Sequence, residues 1–265
     1  MGFNYIDVDR SENPGAAVGW LDELSSWPFY HCYKGRSIEL LHLHPGESVL
    51  DVGCGTGDVA LTISEITGRE GRTIGLDSSE VMIAEARLRA RDLGLPAEFL
   101  VGDAHSLPFN DDSFDACRAD RVLQHLERPL EALQEMARVT RSGGRVLAVD
   151  PDYETLVIDV PERVITRKIE AYRRDYELSN GSLAHQMPRL FRELGLCDVR
   201  VEAQTLILHD PKQAFGVAEW AKRAHEKGLL TPDEFAAWEA AFARVADAST
   251  FLFAVTFFTT VGRKA

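Results

Sequence analysis

The stretch VLDVGCGTGDVA, residues 49–60, constrains the fold more than any other part of the chain. A short apolar run, suited to a strand, meets Gly53, Gly55 and Gly57 and passes at once into a helix-like segment. Glycines at such an elbow let backbone N–H groups and a helix N-terminus approach a ligand closely. The spacing is G-x-G-x-G, whereas dinucleotide folds use G-x-G-x-x-G, and the Lys of a P-loop does not follow. Spacing alone therefore marks a ligand-binding turn without naming the ligand.

From Ser48 onward the chain alternates. SVLDV, RTIGL, AEFLV, FDACRA and RVLAVD read as strands, with helix-period stretches between them. VALTISEIT places Val59, Ile63 and Ile66 on one face. The next helix, capped by Ser78 or Ser79, turns Ile83, Ala86, Ala90 and Leu93 inward. A third, opening near Pro129, faces the sheet with Leu130, Leu133 and Ala137. Such βαβα order predicts an α/β fold, a doubly wound and mostly parallel sheet with helices on both faces. DVRVEAQTLIL supplies a sixth strand and FLFAVTFFTTVGR, aromatic and β-branched, a buried seventh.

Residues 1–45 read as an N-terminal helical flap and residues 46–265 as the main domain. In the flap, Trp20, Trp27, Phe29, Tyr30 and Tyr33 either pack on the core or close over a ligand. Inserted cap helices occupy about 153–185 and 211–247, after the fifth and sixth strands. The second insertion carries a capping box at Thr231-Pro232-Asp233-Glu234. Its Phe215, Trp220, Phe235, Trp238 and Phe242 either roof a pocket or form core or a dimer interface, so a homodimer stays open.

A net charge of −13, from 42 acidic and 29 basic residues, argues against nucleic acid and anionic membrane as partners. The first ten residues lack a secretory pattern, and Ile6 breaks the myristoylation motif. No run of 18 apolar residues occurs, and Cys32, Cys54, Cys117 and Cys197 form no CxxC pair. A cytoplasmic protein handling a small molecule is the expectation.

Asp77, ending the second strand in GLDSS, suits a ribose diol, a feature NAD and S-adenosylmethionine (SAM) share. VLDVGCGTG, GLDSS, GDAHSLPF, SFDA, VLQHL and ARVTRSGGRVLAVD, in this order over about residues 46–152, resemble the class I SAM-dependent methyltransferases. The likeness is to the ubiquinone/menaquinone C-methyltransferase-like group. It implies a Rossmann-like, seven-stranded sheet whose last strand is antiparallel, with SAM as cofactor. It implies further that the turn at Gly53 and Gly55 approaches the methionine portion and that Asp51 faces its amino group. Asp77, with Ser78 beside it, would accept from the ribose. Met82 would lie against the adenine or serve as plain core. Asp103 would accept from the adenine amine and the Ala104 N–H would meet a ring nitrogen. The backbone at Arg118 would meet the amino acid end, although RADR is bulkier than the family pattern there. Arg36 would pair with the SAM carboxylate or be solvated.

Methyl transfer from a sulfonium needs collinear nucleophile, carbon and sulfur more than it needs covalent chemistry. His125 in VLQHL is the candidate general base, with Asp150 or Asp152 orienting it or the acceptor. Bonding to nearby backbone is the plain alternative for His125. Asp120, Asp150 and Asp152 do not make the Asp…Asp-Asn set of catechol-type enzymes, so no metal is expected. His185 or His209 would line the cavity if the insertions fold over it. O-methylation is favoured because a base is at hand, with N or C possible. Two alternatives stay open: a protein of this fold that binds SAM without transferring a methyl, and an NAD-dependent oxidoreductase.

Overall fold

The computed structural model describes residues 8–10 and 13–265. The reading of residues 1–7 as carrying no targeting signal lies outside them. Seven strands form one sheet: β1 Ser48–Val52, β2 Arg72–Asp77, β3 Glu98–Val101, β4 Phe114–Asp120, β5 Thr140–Ile158, β6 Leu196–Leu208 and β7 Phe253–Lys264. Their order is β3-β2-β1-β4-β5-β7-β6. β7 runs antiparallel between β5 and β6, and every other strand points the same way. The order reverses between β1 and β4, which places a ligand crevice at their carboxyl ends.

Nine helices surround the sheet among the described residues: α1 Pro14–Ser26, α2 Pro28–Leu40, α3 Asp58–Thr67, α4 Glu80–Leu93, α5 Pro129–Val139, α6 Arg163–Tyr172, α7 Met187–Glu193, α8 Val217–Glu226 and α9 Pro232–Asp247. One face of the sheet packs against α2 and α3 together with the cap helices α6, α8 and α9, and the other against α5 and α7. Strand alternation assigns the sides: Leu147 and Val149 join the first layer, Val146 and Ala148 the second. No described helix is long and apolar enough to cross a membrane.

Helix starts follow their caps. The Ser79 hydroxyl, rather than Ser78, accepts from the Met82 N–H at the head of α4. Thr231 and Glu234 close the expected box on α9, at 3.2 Å and 3.0 Å. Such a cap is worth about 1 kcal/mol. Two inward faces differ from expectation at their ends. Leu93, in the last turn of α4, and Leu130, in the first turn of α5, are exposed, and α5 buries Ala132, Leu133, Met136 and Val139 instead. A helix end overhangs the sheet edge, so periodicity alone overextends the buried stripe. The first insertion also starts later than residue 153, because β5 stays paired with β7 as far as Ile158.

Candidate active site

A cavity of about 850 Å³ opens at the carboxyl ends of β1, β2 and β4, beneath α1, α2 and the cap. At one end the glycine turn and Asp77 meet. Gly53 takes φ +67° and its N–H donates to the Leu76 carbonyl at 2.6 Å. A Cβ on Gly53 would stand 2.2 Å from a Val122 methyl. Val122 and the left-handed backbone by themselves require glycine there. The Asp77 carboxylate braces the same turn, accepting from Gly55 N–H at 2.8 Å and Ser79 N–H at 3.0 Å. Burial pushes Asp77 above the ordinary carboxyl range, with those two N–H groups opposing. Each of its oxygens keeps acceptor capacity for a diol.

Ser78, Met82, Asp103 and Ala104 line the same end. Met82 is also core, buried with Val8 and Ala17, as the plain reading of it expects. Asp103 Oδ1 accepts from the His105 N–H at 2.8 Å and meets His105 Nδ1 at 2.6 Å. Although burial pushes upward, these contacts hold its carboxyl below the usual range.

The floor between β1 and β4 is ionic. Arg118, 1% exposed, lies 2.7 Å from Asp51 and 3.0 Å from Asp120. Tyr33 of α2 donates to the other Asp120 oxygen at 3.0 Å. Burial pushes Asp51 up to about 6, with Arg118 opposing. The bulky RADR thus brings its own counter-charges. Arg36 does not reach the cavity: it is exposed on α2 and pairs with Glu202 and Glu39. Lys34, two residues earlier, points the other way, lines the cavity and contacts Asp58 at 2.5 Å. Those two positions fall on opposite sides of a helix of 3.6 residues per turn.

His125 lines the cavity from the turn after β4. Burial, and then Arg173 and Arg121, lower its pKa to about 3, so the imidazole is neutral at physiological pH. Ser179 and Asn180 hold the carbonyls of this turn. The structure corrects the other two catalytic candidates. Asp150 and Asp152 share the strand face of Val146 and Ala148, turned from the cavity, whereas Pro151 and Tyr153 on the opposite face line it. Asp152 accepts from the His185 N–H at 2.8 Å and contacts its ring at 2.6 Å, fastening the first insertion to the sheet. His185 and His209 both stay out of the cavity, His209 meeting the Phe251 carbonyl.

Asp150 is buried, and the backbone N–H groups of Gln124 and Leu123 face it without closing a well-formed bond. Burial first, then Asp120, raise its pKa well above the ordinary value. A carboxyl raised in the folded state gives stability that is complete below its unfolded pKa and lost as pH rises through the folded one. Asp150→Asn should therefore match the wild-type unfolding midpoint in acid and exceed it at about pH 8, read from thermal melts across pH.

Of the five aromatic residues singled out in the second insertion, Phe215 lines the cavity; Trp220 and Trp238 are fully buried, with Phe235 and Phe242 packed beside them. In the flap, Tyr30 and Tyr33 are core against Phe257, while Trp20 and Tyr30 also line the cavity. Sequence reading missed Arg121, Tyr153, Arg173 and Arg223, all cavity-lining. Tyr153 was within reach of strand parity. The arginines gave no signal beyond ordinary surface charge. Arg121 and Phe215 hold positive φ, at 59° and 54°, a costly conformation that clusters at functional sites.

The methyltransferase domain family model matches residues 43–215. The chain is 37% identical over 217 residues to an uncharacterized 37.1 kDa protein in a transposon of Streptomyces fradiae, covering 80% of this chain and 62% of that one. It is 33% identical over 160 residues to the ubiquinone/menaquinone biosynthesis C-methyltransferase UbiE of Legionella pneumophila, covering 57% and 64%. The chain thus spans less than two thirds of the length of these curated relatives. The YcgJ protein of Bacillus subtilis has the same fold, with a TM-score of 0.63 at 23% identity over 88% of this chain and 98% of that one. The turn braced by Asp77, the strand order with its inserted antiparallel strand and the matched span agree: this chain belongs to the methyltransferase domain family, the class I fold whose cofactor is SAM.

Proposed function

We propose that the protein transfers the SAM methyl group to a small molecule enclosed between the glycine turn and the cap. One observation carries this: a single cavity runs from Gly53, Asp77 and Asp103 to His125, Tyr153 and Arg173. The fit to SAM rests on Asp77, whose oxygens brace the turn and keep acceptor capacity, and on an acidic surround suited to a sulfonium: Asp51, Asp58 and Asp77. Asp77 and Asp103 would hold the sugar and the base, and Lys34 would take the carboxylate role first given to Arg36. When bound, SAM supplies an electrophilic methyl and a neutral leaving group.

The chain's own residues then position and deprotonate. α1 and α2 form part of the cavity wall, Tyr153 and Phe215 wall the acceptor end, and His125 takes the acceptor's proton. Removing that proton from an oxygen prepares either O-transfer or transfer to a ring carbon conjugated with it. The UbiE relative favours the carbon.

Calorimetry with SAM and S-adenosylhomocysteine tests the reading. Both should bind the wild type, and Asp77→Asn should weaken them about 10- to 100-fold, the worth of a charge-assisted hydrogen bond to a buried site. Absence of binding to the folded wild type removes the proposal. Binding of SAM without its conversion to S-adenosylhomocysteine by any acceptor would favour a non-transferring relative of the fold.

A further inference from the structure

We propose that the acceptor carries an acidic group, a carboxylate or a phosphate, held by Arg173 and Arg223. Calling the ligand an acceptor rests on the methyl-transfer reading; the anion site itself rests on geometry. After α6 the backbone widens into a π-helical turn, Arg173–Glu177. Such turns are rare and recur at functional sites. This one presents Arg173, Tyr176 and Glu177 to the cavity, and Arg223 enters from α8.

Two guanidiniums there share one carboxylate. Glu177 accepts a short hydrogen bond from Arg223 and lies 3.5 Å from Arg173. The Nε groups of both arginines are buried without a hydrogen-bond partner among the described residues. Arg173 also sits over two rings, 4.8 Å from the Trp220 centroid and 5.1 Å from that of Tyr153, and its Nη2 donates to the Tyr153 hydroxyl at 3.3 Å. Across the cavity Arg121 adds a third positive charge, against an Asp120 that also serves Arg118. The acceptor end is therefore positive, while the acidic groups Asp51, Asp58, Asp77 and Asp103 gather at the cofactor end.

Excess charge behind aromatic walls is costly until an opposite charge arrives. A planar guanidinium fork matches the oxygens of carboxylate and phosphate. The arrangement also opposes an amine acceptor, which would bring a like charge to the same place. An anion seated between Arg173 and Arg223 would offset the Arg173 charge, which after burial is the second cause of the lowered His125 pKa.

Calorimetry with 2-naphthoate, 2-naphthyl phosphate and neutral 2-naphthamide tests this on the full chain, with and without S-adenosylhomocysteine. At least one acid should bind about tenfold or more tightly than the amide, a difference of about 1.4 kcal/mol. The tighter acid identifies the group. Arg173→Gln and Arg223→Gln should each erase most of that preference, and Arg173→Lys, which keeps the charge, should retain part of it. Arg223 is partly exposed, so its variant stands as the test if Arg173→Gln fails to fold. An amide that binds as well as both acids, binding by none of the three, or a preference that survives the Gln variants overturns the proposal. Uptake of S-adenosylhomocysteine in the same cell reports separately on the methyl-transfer reading.

Discussion

Arg118→Ala should destabilise the fold by about 3–5 kcal/mol, the usual loss when one partner of a buried ion pair is removed. Among the described residues Arg118 alone forms an ion pair with Asp51, and it shares Asp120 with Arg121, all under the sheet's carboxyl edge. Without it Asp51 keeps its burial and its repulsion from Asp120 and loses the attraction that opposes both. The deficit must depend on pH. Burial already lifts the Asp51 carboxyl from 3.8 to about 6, so its contribution to wild-type stability is complete below about 4 and lost as pH rises through about 6. In the variant that folded pKa climbs further, so the loss deepens toward neutral pH and shrinks in acid. Urea unfolding between about pH 4 and pH 8 reads both features. A variant equal to wild type at neutral pH would mean that water, and not Arg118, solvates Asp51.

His125→Ala should lower turnover by about 10²- to 10⁴-fold while leaving S-adenosylhomocysteine affinity unchanged. The two outcomes separate because Asp77, and not His125, braces the turn assigned to the cofactor. The pH–rate profile adds a sharper criterion. An imidazole near 3 is deprotonated across the neutral range, so kcat/KM, which reports the free enzyme, should show no titration near the ordinary histidine value. A limb close to pH 6.5 in that profile would point to a different base. Turnover unchanged in the alanine variant would reduce His125 to a wall of the cavity.

The parts of the fold legible in the sequence are those set by local pattern. Period-2 and period-3.6 repeats delimit the strands and α3, and the Thr231 box starts α9. The glycine turn and Asp77 were legible because each ends one of two adjacent parallel strands, β1 and β2, and there the Gly55 N–H donates to the Asp77 carboxylate. What escaped depends on contacts between distant segments. Asp150 and Asp152 stand where the expected fifth strand RVLAVD ends, as a catalytic pair would, but β5 continues through them, and its parity turns them from the cavity and leaves Tyr153 facing it. Arg36 and Lys34 are equivalent as residue types until α2 is docked, when one meets Glu202 and the other Asp58. The Arg173–Glu177–Arg223 cluster joins two insertions about fifty residues apart and has no sequence motif.

The position of β7 bears on how the chain is made. Both hydrogen-bonding partners of β7, β5 and β6, precede it in the chain, and β6 pairs with no other strand among the described residues. A ribosome delivers them first. Until the last segment emerges, β6 has no neighbour and one long edge of β5 stands bare, the exposed state in which nascent chains adhere to one another. Translation pauses or shortened products that withhold Phe253–Lys264 would therefore yield insoluble material, however well the nucleotide half has already folded.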